Sequence, residues 1–345
     1  MSALAKRLAR WQARHGRHDL PWQRTRDAYR IWLSEVMLQQ TQVATVIPYY
    51  RRFLERLPNV KALAAATLDE VLTLWAGLGY YSRARSLHAA AREVVASHRG
   101  RFPRTREALE SLPGLGRSTA AAIAVFAFGE REAILDGNVK RVLARHFAVR
   151  GFPGDKRVEK RLWGLAEAAL PKKDIEAYTQ GLMDLGAEIC TRKRPACGEC
   201  PLSGTCEGYA RGRAEAYPQP RPRKPRPVRK TSMLLLLREG EVLLEKRPPT
   251  GVWGGLWCLP EVGEAAGKKL PVLRHEFTHF TLDITPVIGT PESGSTRAAE
   301  PGQIWLPVEE AIGAAVPAPV RKLLVALDSG RFRGEPLTFE KTLQD

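Results

Sequence analysis

The chain has 345 residues, of which 44% are hydrophobic and 26% charged, a globular balance able to bury substantial cores. At roughly 100–200 residues per domain, this length predicts two or three domains. Its 54 Lys and Arg exceed its 37 Asp and Glu, which gives a net charge of +17. No apolar run reaches the length of a membrane span and the start lacks a signal-peptide core, so neither secretion nor membrane insertion is expected.

The positive charge is unevenly distributed along the chain. Residues 1–206 carry 34 basic and 20 acidic side chains (net +14), and residues 207–230 carry 8 and 2 (net +6). Residues 231–345 carry 12 and 15 (net −3). A basic region beside a near-neutral one predicts a polyanionic partner, usually nucleic acid, although a generally basic proteome gives the same bias.

The first two-thirds of the sequence predict an all-α region. From Asp27 to Ile47 apolar residues recur at helical spacing until Pro48, and no segment alternates as a strand does. Further helices are predicted, in chain order, at Leu68–Trp75, Arg83–His98, Thr105–Ser111, Ser118–Phe128, Val139–Phe147, Lys156–Leu170 and Ile175–Leu185.

The pattern changes after a proline-rich segment. Residues Pro218–Lys230 (PQPRPRKPRPVRK) contain five prolines and no acids, which predicts a semi-rigid basic linker. The following residues predict a separate α+β domain of about a hundred residues. Its predicted elements are a hairpin of Met233–Leu237 and Val242–Lys246 around Glu239-Gly240, strands at Phe280–Ile284 and Ile304–Leu306, and a final helix at Val320–Leu327.

Four of the five cysteines lie close together, at Cys190, Cys197, Cys200 and Cys206. The spacing C-x6-C-x2-C-x5-C suits a loop that wraps one tetrahedral ion or one cubane cluster. Spacing alone does not separate zinc from iron–sulfur. Cys258 stands alone and is expected to be a small buried apolar residue.

Two glycines, Gly114 and Gly116, lie in the turn LPGLGRSTA between two predicted helices. The letters also satisfy G-x-G-x-x-A, but a dinucleotide site needs a strand before the glycines, and TREALES has a helical pattern. A helix–hairpin–helix fits better, because backbone N–H groups at the second helix's start can hold a DNA phosphate without reading its sequence.

Two carboxylates have positions suited to acid–base chemistry. Glu35 follows Ile31 by four residues and Trp32 by three, so it shares their apolar helix face, where desolvation raises a carboxyl pKa and suits a general acid. Asp136 stands in LDGNV, at a turn that opens a helix. A protonated and an ionised carboxyl together can break a glycosidic bond. Taken singly, each also fits a structural role, as a core glutamate and as an N-cap.

Together these features resemble the helix–hairpin–helix superfamily of DNA glycosylases, and within it the MutY-type adenine glycosylases. The resemblance covers nearly the whole chain. Its motifs, which match in order and spacing, are LPWQ, WLSEVMLQQTQV, GLGYYSRAR, LPGLGRSTA, LDGNVKRVL, MDLGAEIC and the four-cysteine loop.

The resemblance implies a multidomain fold. Residues 1–206 are expected to form an all-α helix–hairpin–helix glycosylase domain, with a six-helix barrel lobe (about 22–130) and a lobe around one [4Fe-4S] cluster (1–21 plus 131–206). A basic linker (207–230) then leads to an α+β MutT/Nudix-like domain (231–345). The implied partner is double-stranded DNA in which adenine is mispaired with 8-oxoguanine or guanine, and the implied reaction is hydrolysis of adenine's N-glycosidic bond.

The resemblance also implies roles at the reacting bond. Glu35 matches the acid that protonates adenine at N7, Asp136 the carboxylate that stabilises or transiently bonds the sugar cation, and Asn138 a residue that positions them. Ser118 stands where similar endonuclease III-type enzymes carry a lysine that forms a Schiff base and cleaves the strand. A serine predicts a monofunctional enzyme that leaves an abasic site.

Further residues match DNA contacts of the family. Flipping a base from the stack costs roughly a few kcal/mol. The matching residues are Tyr80 as the wedge at 8-oxoguanine with Leu78 beside it, Gln40 and Thr41 at the mismatch, Trp22 and Gln180 in the adenine pocket, and Gly114 and Gly116 in the hairpin.

The C-terminal domain lacks the closely spaced carboxylates of the Nudix metal box after Glu261, which predicts a reader of DNA rather than a hydrolase. Its segment HEFTHF (His275–Phe280) matches the 8-oxoguanine recognition loop, including Thr278 and His279. That motif usually has serine where Thr278 stands, a departure that keeps the hydroxyl and adds a methyl.

Two alternatives remain open from the sequence: a bifunctional endonuclease III-like glycosylase with lyase activity, and a non-catalytic, metal-stapled DNA-binding protein. The chain is expected to be monomeric, cytoplasmic and nucleoid-associated as in bacteria, with no membrane partner. Protein partners are not indicated by any motif.

Overall fold

The computed structural model describes residues 3–222, 225–263, 267–289 and 301–330. These residues form two compact units that do not follow chain order. The first comprises Met1–Ala65 and Ser86–Arg223, and the second comprises Ala66–Arg85 and Lys224–Asp345, in each case for the described residues. Within the described chain, no helix has both the length and the apolar character required to cross a membrane.

Helices make up the chain up to residue 210, and no strand occurs among the described residues of that region. The helices are α1 (Ala3–His15), α2 (Ala28–Met37), α3 (Val43–Arg56), α4 (Val60–Ala65), α5 (Leu68–Trp75), α6 (Ser82–His98), α7 (Arg106–Glu110), α8 (Arg117–Phe128), α9 (Gly137–His146), α10 (Lys156–Ala169), α11 (Ile175–Asp184) and α12 (Glu207–Ala210). Local signals explain several starts, because the side chains of Thr67, Thr105 and Asp155 accept N–H groups of the turns they cap.

The helices predicted from Leu68 onward are confirmed within one or two residues at their ends. The single helix predicted from Asp27 to Ile47 is wrong. The chain leaves the helix after Met37, passes through Gln40 with φ 57°, and begins α3 at Val43. Pro48 does not end α3, because it removes only one backbone hydrogen bond while buried Val46, Tyr50 and Phe53 keep the helix packed.

One hydrophobic core in the first unit joins the N-terminus to later helices. Leu4, Ala5 and Leu8 of α1, an element absent from the sequence prediction, are buried against residues of α8 to α11 and Leu202. A π-helical turn (Leu185–Ile189) follows α11 directly and leads into Cys190. The first cysteine is therefore fixed by the same core that holds α11.

The second unit contains the sheet. Its strands are β1 (Val228–Arg238), β2 (Glu241–Lys246), β3 (Trp257–Cys258), β4 (Glu261–Val262), β5 (Lys268–Lys269), β6 (Leu273–Glu276), β7 (Thr281–Gly289) and β8 (Gln303–Pro307). They form an eight-stranded mixed sheet in the order β3-β2-β1-β7-β5, with β4, β6 and β8 paired to β1, β7 and β2. The β1–β7 pair is parallel, and the others are antiparallel. Helices α13 (Val308–Gly313) and α14 (Ala318–Asp328) follow the sheet.

The predicted hairpin around Glu239-Gly240 is confirmed as β1 and β2, since both residues adopt positive φ there. The linker is shorter in the structure than in the prediction. The start of the predicted linker is packed in the first unit, where a Cβ added to Gly208 would lie 2.6 Å from the Arg145 carbonyl oxygen. The last residues of the predicted linker, from Val228 onward, already belong to β1.

Candidate active site

A cavity of about 550 Å³ lies in the first unit. Glu35, Trp22 and Gln180, three of the residues singled out from the sequence, line it together. The rest of its wall consists of Gln12, Arg17, His18, Leu20, Gln23, Arg24, Thr25, Arg26, Ile31, Ser34, Leu38, Val43, Phe126, Glu176, Ala177 and Met183. This volume lies in the usual range for small-molecule pockets and accommodates a single base.

Glu35 reaches the cavity from helix α2, whose N-cap is Asp27. Ile31 and Trp32 on the same face are buried in the core, which fixes the helix and directs Glu35 toward the cavity. Burial and, secondarily, the negative charge of Asp136 raise the pKa of Glu35 from its ordinary 4.5 to about 8. The carboxyl is therefore protonated at neutral pH and available as an acid.

Asp136 is the N-cap of α9, where its Oδ1 accepts the Val139 N–H at 2.7 Å. Burial raises its pKa, while that N–H and the positive charge of Arg141 act in the opposite direction. Asp136 is not among the residues that line the cavity, although its charge acts on Glu35. The N-cap interpretation is thus also correct, and it coexists with electrostatic coupling to Glu35.

Asn138 is held beside the end of α11 by Arg141. The Asn138 Oδ1 accepts from Arg141 Nη2 at 2.8 Å, and the same guanidinium donates from Nε to the Cys190 carbonyl at 2.7 Å. A Cβ on Gly186 would lie 2.5 Å from the Asn138 Cβ, so only glycine permits this approach. The backbone after Asp136 is therefore tied to the segment that begins the cysteine loop.

Ser118 and the two hairpin glycines lie at the α7–α8 turn. The Ser118 Oγ accepts the Leu135 N–H at 2.9 Å, one residue before Asp136. Gly114 has φ 79°, and a Cβ there would lie 2.4 Å from the Ser86 Cβ. Gly116 caps α8 in the open, with no atom within 4 Å of an added Cβ. Because α7 rather than a strand precedes the glycines, the dinucleotide alternative is excluded.

Trp22 and Gln180 are fixed from behind the cavity. The buried Trp22 ring packs edge-on against Tyr50, with 5.3 Å between centroids, and Gln180 Nε2 donates to Asp184 Oδ1 at 2.9 Å. Gln40 and Thr41 lie in the break between α2 and α3, outside the cavity lining, and Gln40 is exposed.

Several cavity residues were missed by the sequence analysis. Gln23 belongs to the LPWQ motif, and its Oε1 accepts the Leu20 N–H at 3.3 Å. Arg17, Phe126 and Met183 come from three separate segments. Only the position of Gln23 beside Trp22 offered a signal, since the others come together through the tertiary fold.

In the second unit, the wedge and recognition residues predicted from two distant segments meet. The Tyr80 hydroxyl lies 3.3 Å from Thr278 Oγ1, and Tyr80 is 46% exposed. Thr278 and His279 form the tip of a turn in which the Phe277 N–H donates to the Phe280 carbonyl at 2.9 Å. The rings of Phe277 and Phe280 stack at 4.5 Å and hold the turn closed.

The loop before Tyr80 is supported from inside the second unit. Leu78 is buried, and Gly79 and Tyr80 adopt positive φ of 71° and 48°. Trp75 Nε1 and Arg83 Nη2 donate to the Gly79 carbonyl at 3.1 and 3.3 Å. These bonds present the Tyr80 ring at the surface in a strained backbone conformation, which is typical of functional loops.

The four cysteines of the loop surround one small cavity and none forms a disulfide. The buried Arg145 points Nη1 at Cys190 Sγ, 3.3 Å away, and donates to the carbonyls of Cys190 and Thr191. Four free thiols and one buried cation suit an anionic four-thiolate cluster site. Cys258 is buried in the sheet of the second unit, as expected.

Comparison with known proteins shows which families the chain resembles. Residues 33–168 match the HhH-GPD superfamily of base excision DNA repair proteins, residues 190–206 the iron–sulfur binding domain of endonuclease III, and residues 232–326 the NUDIX domain. The "Adenine DNA glycosylase" of Buchnera aphidicola subsp. Acyrthosiphon pisum is 35% identical over 91% of this chain and 94% of its own. The Homo sapiens "Adenine DNA glycosylase" is 35% identical over 94% of this chain and 73% of its own.

Solved structures resemble the helical part. A thermostable thymine-DNA glycosylase is 32% identical, with a TM-score of 0.55 over 60% of this chain and 95% of that one. An endonuclease III–DNA complex, 22% identical with a TM-score of 0.52, shares the fold over 60% of this chain and 94% of that one.

The fold and the family matches together identify the protein as a helix–hairpin–helix DNA N-glycosylase of base excision repair. It carries one [4Fe-4S] cluster and a C-terminal NUDIX-like domain. Within that class, the chain belongs to the adenine DNA glycosylase family.

The raised pKa of Glu35 predicts a pH-dependent stability. The folded state holds a proton that the unfolded state loses above about pH 4.5, so this contribution to stability declines as pH rises to about 8. The stability of Glu35→Gln relative to the parent is therefore expected to be higher at pH 9 than at pH 5. Midpoints of urea unfolding for both proteins at each pH measure this difference, and a difference that does not change with pH contradicts the prediction. The surface variant Glu110→Gln is the matched control.

Proposed function

We propose that this protein removes adenine mispaired with 8-oxoguanine or guanine by hydrolysing its N-glycosidic bond, and that it leaves an abasic site. The observation that carries the proposal is the cavity in which a protonated Glu35 faces Trp22 and Gln180. It is supported by the family membership of the whole chain. We further propose that it acts as a monomer on double-stranded DNA at the nucleoid in the bacterial cytoplasm.

In the proposed mechanism, the flipped adenine enters the cavity and stacks on Trp22. Glu35 donates its proton to N7 of the base, which turns a poor leaving group into a good one. Asp136, as an anion, stabilises the oxocarbenium-like sugar. The C1′–N9 bond breaks, a water molecule attacks C1′ of the cation, and the proton that the water releases returns to Glu35, whose coupling to Asp136 favours the protonated form. Asn138 is proposed to hold the backbone after Asp136 in place.

The four-cysteine loop is proposed to bind its cluster through Cys190, Cys197, Cys200 and Cys206. When bound, the cluster would tie the loop together, and none of these cysteines lines the cavity that contains Glu35. Arg145 balances the thiolate charge from within the protein.

The monofunctional assignment rests on Ser118. Its hydroxyl is engaged by the Leu135 N–H and lacks the amine needed for a Schiff base. Gly114, Gly116 and the N-terminus of α8 are proposed to hold a phosphate. Gln40 and Thr41 are proposed to contact the mismatch.

The second unit is proposed to read the lesion and not to hydrolyse nucleotides. Contact of Tyr80 with Thr278 supports a joint role, in which Tyr80, backed by Leu78, wedges into the stack while Thr278 and His279 contact 8-oxoguanine. The methyl of Thr278 adds an apolar surface to that contact.

A strand-cleavage assay on a duplex with one 8-oxoguanine–adenine pair tests the proposal. The expected result is an intact strand after incubation that breaks at the adenine position only after alkali. Intact strands after alkali would falsify adenine removal, while breakage and borohydride trapping without alkali would establish the bifunctional alternative. Binding without turnover would indicate the non-catalytic alternative.

A further inference from the structure

Asp184 is a fully enclosed carboxylate behind the cavity wall, at the end of α11. Its Oδ1 accepts from Gln180 Nε2 at 2.9 Å and from Arg17 Nη2 at 2.7 Å and Nε at 2.8 Å. Its Oδ2 accepts the Arg17 backbone N–H at 3.1 Å. A carboxylate buried with this many donors and a guanidinium partner is firmly held.

This arrangement fixes which end of the Gln180 amide faces the cavity. Both Asp184 oxygens accept from Arg17 and offer no hydrogen to an amide oxygen, so the amide nitrogen of Gln180 turns toward Asp184. Gln180 lines the cavity, and no donor among the described residues binds its Oε1. That oxygen is also not one of the buried polar atoms that lack a partner. The oxygen is therefore the atom that the amide offers to a ligand.

A second amide in the same wall is also oriented. The Gln23 Oε1 is occupied by the Leu20 N–H, and its Nε2 is an enclosed nitrogen without a partner within the described part of the chain. Because the Gln23 Nε2 is enclosed, it offers no donor to a ligand in the cavity. The Gln180 oxygen is therefore the atom that these two oriented amides present there, and it complements an amino group on a purine edge.

We propose that Asp184, held by Arg17, is a positioning residue that orients Gln180 to accept a hydrogen bond from the 6-amino group of the excised base. The inference rests on the proposed function. Adenine attached through N9 carries its only N–H donors on that amino group, whereas a 6-oxo purine presents an oxygen there and meets another acceptor. The pair therefore contributes selectivity for the amino group, beyond the protonation by Glu35.

The test compares single-turnover excision of adenine and of unsubstituted purine, each opposite 8-oxoguanine. Asp184→Asn, whose amide accepts and donates, frees Gln180 to flip and is expected to lower the adenine-to-purine rate ratio about tenfold. Gln180→Ala is expected to lower it similarly. The double variant is expected to add nothing further to the ratio, because both changes remove one interaction.

The controls separate this role from a structural one. Glu110→Gln, which loses a surface ion pair with Arg106, is expected to keep the parent ratio. If Asp184→Asn slows both substrates equally, or if its effect adds fully to that of Gln180→Ala, the positioning role is overturned. A parent protein that releases no adenine instead refutes the proposed function.

Thermal melting and the visible absorption of the cluster show whether Asp184→Asn folds. If it does not fold, Arg17→Gln provides a second test. Arg17 is partly exposed, so its loss is better tolerated. Without the guanidinium, Asp184 loses the side-chain partner that holds its Oδ1 in place, so the orientation of Gln180 is no longer fixed. The ratio is expected to fall here too, and an unchanged ratio in this folded variant overturns the proposal.

Discussion

Glu35→Gln is expected to lower the rate of adenine release by about 10²–10⁴-fold while DNA affinity stays near that of the parent. The substitution keeps the size and polarity of the side chain but removes the transferable proton at the cavity. Single-turnover excision and a gel-shift titration on the same duplex measure the two quantities. Loss of affinity in parallel with rate contradicts the role as an acid.

The pH profile gives an independent readout of the same residue. An acid with a pKa of about 8 is protonated below that value, so the parent rate is expected to hold near neutrality and to fall as pH rises above about 8. The residual activity of Glu35→Gln is expected to lack this alkaline limb.

Asp136→Asn is expected to reduce the rate by about 10²–10³-fold with little loss of stability. Asparagine caps helices about as well as aspartate, so the bond to Val139 and the start of α9 are retained while the negative charge disappears. Single-turnover excision and thermal melting are the measurements.

Asp155→Asn is the matched control for this substitution, because Asp155 caps α10 in the same way but, unlike Asp136, does not act on the pKa of Glu35. It is expected to leave the rate unchanged. Equal losses in both variants, or a rate for Asp136→Asn within a few-fold of the parent, contradict an electrostatic role for Asp136.

Local signals in the sequence were sufficient for most helices and for the second unit's hairpin. Thr67, Thr105 and Asp155 mark helix starts by side-chain capping, and Glu239-Gly240 marks a turn. The break between α2 and α3 was not predictable in this way. Gln40 is neither a glycine nor a proline, and yet it adopts a φ of 57° at this break.

The candidate site was partly predictable, because Glu35 lies on a visibly apolar helix face and the family motifs supplied Trp22 and Gln180. Arg17 and Asp184 were not, since they are 167 positions apart and meet only through the core that joins α1 to α11. The contact of Tyr80 with Thr278 is of the same kind, with 198 positions between its partners.

The second unit is assembled from two separate segments of the chain, and this has a consequence for synthesis on the ribosome. The segment Ala66–Arg85 emerges early, yet Lys246 pairs with Asp69 and the Arg85 side chain donates to the Gly254 carbonyl. Those partners leave the exit tunnel only after the whole helical region and the linker. During translation α5 and the Tyr80 loop therefore remain without these neighbours until the chain beyond the linker has emerged.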